Sequence, residues 1–127
     1  MKSLAMILVA AGLLFGGAAQ AAEEISPDVQ VKLQNAMQTH LESISVGGAY
    51  TFLSDATELQ TLYPANTHPM VLTFGDDYFV CSDMVDANGQ STTADFLVRK
   101  IGDSYHVVQM LVGERPLVEA AMKKMGQ

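Results

Sequence analysis

The sequence predicts an α+β domain, in which an N-terminal helix packs on a four- to five-stranded antiparallel meander sheet and a short C-terminal helix follows. Three observations carry this. Residues 26–44 hold an apolar stripe at helical spacing, and residues 70–112 are rich in β formers divided by the turn signals Gly75-Asp76-Asp77, Asn88-Gly89 and Gly102-Asp103. Arg115-Pro116 then opens a last stretch of helical pattern.

Ahead of these elements the chain reads MKSLAMILVAAGLLFGGAAQAAEE. A single Lys2 precedes an apolar run from Leu4 to Phe15 and then small residues, which is the pattern of a secretory signal peptide. Ala19 and Ala21 satisfy the small-residue cleavage rule, so the cut is expected after Ala21, with Ala22 as the alternative. Residues 22–127 are then one exported domain, periplasmic or secreted. The apolar run is too short for a stable membrane anchor.

Ser26-Pro27-Asp28 starts the first helix, with Ser26 as cap, Pro27 at the first helical position and Asp28 at the positive end of the dipole. Val29, Leu33, Ala36, Met37, His40, Leu41 and Ile44 form its apolar stripe, and Gly47-Gly48 close it. Ala49–Leu53 is a short aromatic strand. In residues 54–68 the pairs Tyr63-Pro64 and His68-Pro69 interrupt any long element, so this segment is expected to be a loop over one rim of the sheet. Met70–Phe74 is the next strand. In the last helix, Glu119 and Lys123 are spaced for a weak ion pair.

The organising stretch is Tyr78–Val112. With Asn88-Gly89 as a two-residue turn, Ser82 faces Asp95, Val80 faces Leu97 and Tyr78 faces Arg99. The same count about Gly102-Asp103 sets Arg99 opposite His106 and Leu97 opposite Val108. Tyr78, Ser82, Asp95, Arg99 and His106 then share one mixed face, while Phe79, Cys81, Asp83, Val85, Phe96, Val98, Val107 and Leu111 lie on the face beneath the helix. The mixed face, with His68 from the 54–68 loop, is the candidate ligand site.

Within that set Asp95 is the carboxylate of most interest, because a mid-strand Asp needs a compensating partner. A hydrogen bond from Ser82 supplies one structurally; a raised pKa in a half-apolar pocket makes Asp95 a general base, assisted by Tyr78 or His68. A Ser82–His106–Asp95 triad is excluded by geometry, since Asp95 and Arg99 stand about 13 Å apart along one strand and His106 lies beside Arg99.

The net charge of −7 becomes −8 when Lys2 leaves with the signal segment. Such a chain does not suit nucleic acid or anionic lipid, and a cationic partner suits it better. Cys81 is the sole cysteine, so no internal disulfide forms, and its apolar strand context reads as buried and inert. Met37, Met70, Met84, Met110, Met122 and Met125, with His40, His68 and His106, raise copper binding as an alternative. No two histidines have ligand spacing, so neither a metal nor another cofactor is expected.

In element order the chain looks like cystatin-like and nuclear-transport-factor-like (NTF2-like) domains, whose curved sheets enclose a pocket or form a dimer face. That layout implies fold alone. The functional expectation is a small exported binding or protein-interaction domain, taking an unspecified small molecule or protein and with a homodimer as one arrangement. A pocket-type isomerase or hydrolase using Asp95 is the alternative.

Overall fold

Helix α1 begins where the capping signal places it. It spans Pro27–Ile44, with Ser26 Oγ accepting from the Val29 N–H at 3.4 Å. The structure, a computed structural model, describes residues 25–126; the expected signal segment and its cleavage point lie outside the described residues. Leu33, Met37 and Leu41, each one helical repeat of four apart, are buried as a single ridge. Burial of each such side chain contributes about 1.5–3 kcal/mol.

Five strands follow in simple meander order, β1 Tyr50–Leu53, β2 Leu59–Phe74, β3 Asp77–Asp86, β4 Ser91–Ile101 and β5 Ser104–Val112, all antiparallel. Helix α2, Arg115–Lys124, is the last element of the described residues. The α+β class and the helix–meander–helix order are as the sequence predicts. The link from α1 to β1 is tight because Gly47 and Gly48 both take positive φ (61° and 80°), closing Val46 onto Ala49 by two backbone hydrogen bonds.

Residues 54–68 depart from expectation: from Leu59 onward they belong to β2 rather than to a loop. Two prolines are tolerated because β1 covers only Leu59–Leu62, leaving the rest of β2 at an outer edge, where a missing donor costs little. Register shifts between Pro64 and Thr67 and again between Thr67 and Val71 absorb the irregularity. Neighbours satisfy the freed polar groups. Gln34 Nε2 donates to the His68 carbonyl at 3.0 Å, Gln38 Nε2 to Thr67 Oγ1 at 2.9 Å, and Ser82 Oγ to the Asn66 carbonyl at 3.1 Å.

The β3–β4 hairpin also differs, by one residue. Its loop has three residues, Ala87, Asn88 and Gly89, of which Gly89 alone takes positive φ (79°). Asp86 Oδ1 accepts from the Asn88 and Gln90 N–H groups at 2.8 and 2.9 Å, a side-chain turn that holds the longer loop. Ser82 therefore faces Ala94, Val80 faces Phe96 and Tyr78 faces Val98. Between β4 and β5 the expected Arg99–His106 pairing holds, but a bulge at Val108 shifts the rest, so Leu97 faces Gln109 and Asp95 faces Leu111.

A one-residue slip exchanges the faces. The core beneath α1 holds Leu62, Val80, Met84, Ala94, Phe96 and Val98, with Tyr78, Tyr105, Val107, Met110 and Val112 packed at its margin. Phe79, Cys81, Asp83 and Val85 lie on the opposite face instead of under α1. Helix α2 packs on β4 and buries Val118.

Candidate functional site

The six residues singled out from sequence do not form one site. Tyr78 and Ser82 lie on the α1 face, where Tyr78 meets Tyr105 edge-on at 6.2 Å and Ser82 is buried and hydrogen-bonded to backbone. Arg99 and His106 share the other face, and both are exposed. Arg99 is held by a two-point bond to Asp77, Nε to Oδ1 at 3.0 Å and Nη2 to Oδ2 at 2.9 Å. The expected common face is thus corrected, the cause being the three-residue turn at 87–89.

His68 and Asp95 do meet, in company the sequence did not reveal. On the face opposite α1, His68 Nδ1 lies 3.0 Å from Cys81 Sγ, and His68 Nε2 lies 2.8 Å from Asp83 Oδ1. Cys81 and Asp83 are two residues apart on β3 and so share a face, while the β2 irregularity brings His68 across to them. Across the β3–β4 ladder Asp95 is the direct partner of Cys81. From the first turn of α2, Arg115 Nη2 reaches Asp95 Oδ1 at 3.0 Å and also acts on the Cys81 sulfur.

The electrostatics follow from this packing. A carboxylate can only accept, so Asp83 sets the proton of neutral His68 on Nε2 and turns the Nδ1 lone pair toward the thiol. Burial pushes the Cys81 thiol upward; Arg115 draws it back, while the Asp95 and Asp83 charges add to the rise. Burial likewise raises Asp95, opposed by Arg115 and His68 and assisted by Glu119. Asp95 is 1% exposed, and its Oδ2 has no hydrogen-bond partner among the described residues. Cys81 is buried at 8% exposure, yet it is the middle of a polar chain rather than an apolar filler. Among the described residues no group of three or more His, Cys, Asp or Glu is placed to hold a metal ion.

A second feature lies elsewhere. The inner face of the sheet continues into a cleft of about 620 Å³ between the β1–β2 turn, the β3–β4 hairpin and the end of β5. Its apolar wall is Tyr50, Phe52, Leu62, Met110 and Val112, and Tyr50 and Phe52 stack with centroids 5.4 Å apart and planes inclined by 7°. Asp55, Asp86 and Glu114 stand at its border, and among the described residues no Lys, Arg or His lines it. At the rim, Thr57 takes a left-handed φ of 60°, the position that Gly89 fills in the analogous three-residue turn. None of the six residues chosen from sequence lines this cleft. Its volume lies within the range of small-molecule sites.

Comparison of the chain with protein-family models, with curated proteins and with solved structures finds no match in any of the three.

Proposed function

We propose that this chain is a small exported binding domain whose cleft takes an organic ammonium ion. The lining carries the reading: two aromatic rings and an aliphatic wall stand beside three carboxylates with no cationic side chain among them. An ammonium group against an aromatic face gains about 0.5–2 kcal/mol, and the carboxylates add to this as the apolar part of the ligand displaces water. The net charge, −7 over the whole sequence and −8 without residues 1–21, draws cations at longer range.

Calorimetric titration tests the reading with phenethylammonium, its neutral isostere phenylethanol, and arylalkyl ammonium ions of increasing size. The cations are expected to bind about tenfold or more tightly than the alcohol, with affinity that falls as salt rises. Replacing Asp55 by Asn together with Glu114 by Gln is expected to weaken binding several-fold while the unfolding midpoint stays in place. Equal binding of amine and alcohol, unchanged affinity in the double variant, or no binding across the series would each refute the assignment.

A further inference from the structure

Outside the cleft, the second face of the sheet assembles a nucleophile, a base and a group that orients the base. The geometry points to Cys81 as the nucleophile of a thiol–disulfide exchange site, with His68 as its base, Asp83 as the positioning residue and a small organic disulfide as substrate. Cys81 Sγ and His68 Nδ1 are 3.0 Å apart, and His68 Nε2 and Asp83 Oδ1 are 2.8 Å apart, both within reach for proton transfer and orientation. Asp95, 1% exposed and directly across the ladder from the cysteine, carries an Oδ2 without a partner among the described residues, an acceptor for a donor on the incoming substrate.

Exchange suits this set of groups because its charge develops on sulfur. Arg115 stands beside that sulfur to receive the charge. In the reaction, the Cys81 thiol gives its proton to His68 Nδ1, and the sulfur attacks one sulfur of the disulfide. The substrate S–S bond breaks as the Cys81–S bond forms. The leaving thiolate takes the proton back from His68 and departs as a thiol, so the step needs no further oxidant or reductant. Asp83 stabilises the imidazolium that exists in between.

The groups facing the sulfur are His68 from β2, Asp83 from β3, Asp95 from β4 and Arg115 from α2, with Glu119 acting on Asp95 from the next turn of α2. Burial holds the resting thiol protonated, so attack at neutral pH depends on the base. Helix α2 lies over the cluster and supplies Arg115, so its docking governs access to the sulfur.

The test uses the folded chain and glutathione disulfide, with the mixed disulfide followed by mass spectrometry across a pH series. Adduct formation is expected to be first order in disulfide, and about a hundredfold slower at neutral pH in His68→Gln. The gap should close in alkali, where thiolate forms without help. A second variant, Asp83→Asn, is expected to lower the neutral limb several-fold and keep the alkaline rate, which loss of packing alone does not do. The assignment is overturned by a rate that is independent of disulfide concentration and follows the global unfolding rate in urea, which means the sulfur is reached only by unfolding. Failure of the folded chain to form any adduct, or equal rates for wild type and both variants at every pH, also overturns it.

Discussion

Arg115→Ala removes the guanidinium that lies 3.0 Å from a carboxylate with 1% of its surface exposed. Breaking a buried pair by deleting one partner costs about 3–5 kcal/mol, because the remaining charge is left uncompensated. The Arg115 side chain is itself 36% exposed, so water screens part of the interaction and the lower figure, about 2–3 kcal/mol near neutral pH, is the expected loss. With a urea slope of roughly 1–3 kcal/mol/M, the unfolding midpoint should fall by about 0.7–3 M. The loss has a definite pH dependence. Burial raises the folded pKa of Asp95 above its ordinary 3.8, so the native carboxyl keeps a proton at pH values where the unfolded chain has lost it. Its contribution is fully present below 3.8 and is lost as pH rises through the folded value. Without Arg115 the folded value climbs further, so the penalty is large near neutrality and relieved in acid. Urea titrations of the wild type and Arg115→Ala near neutral pH and below pH 3.8 measure this. The same pair in an Asp95→Asn background, where no charge is stranded, should differ by less than about 1 kcal/mol. An equal loss in acid and at neutral pH, or strict additivity in the double variant, refutes the reasoning.

Two other changes probe the scaffold. His40 sits against Phe96 with ring centroids 6.2 Å apart, and burial lowers its pKa from the ordinary 6.5. The unfolded chain therefore takes up this proton first as pH falls, so stability is full above 6.5 and declines as pH drops toward the folded value. His40→Leu should flatten that part of the midpoint-against-pH curve, and an unchanged slope would show that other groups set it. Thr57→Gly relieves a left-handed backbone worth about 1–2 kcal/mol but adds glycine's unfolded-state entropy of about 0.5–1 kcal/mol. A rise in melting temperature corresponding to roughly 0.5–1 kcal/mol is expected, and a fall would mean that the hydroxyl or methyl contributes more than the strain costs.

The element order was legible because each boundary has a local chemical cause within a few residues. Ser26-Pro27, the glycine pair at 47–48 and Arg115-Pro116 act through near neighbours, and the apolar stripe of α1 survives intact as Leu33, Met37 and Leu41. Register was harder, because it rests on small energetic choices between turns. Asn88-Gly89 suits a two-residue turn, but the Asp86 carboxylate, bonded to two backbone N–H groups, stabilises the three-residue alternative. That single residue moved Cys81 and Asp83 to the face of Asp95 and carried Tyr78 and Ser82 away from it. The bulge at Val108 and the irregular centre of β2 leave no strong mark in the sequence, although Pro64 and Pro69 on either side of His68 were a hint of edge geometry. The cleft was missed because its parts come from four separate stretches, and Tyr50 and Phe52 read simply as a short aromatic strand.

The position of Arg115 ties the stability of α2 to the chemistry beneath it. That helix has no side-chain cap at Glu114 and buries Val118 alone, so the ion pair to Asp95 is a large share of what holds its first turn to the sheet. A short C-terminal element with so little buried apolar area belongs to the low end of local opening free energies, well below the cost of unfolding the core under α1. Opening α2 uncovers Cys81 and in the same motion withdraws the cation that favours its thiolate. Access and activation therefore oppose each other. The most reactive state is one in which the helix shifts enough to admit a disulfide while Arg115 remains near the sulfur. A variant that merely detaches α2 should expose the thiol to alkylation yet lower its reactivity toward disulfide at a given pH. A cysteine that was only buried, with no role for its neighbours, would gain in both.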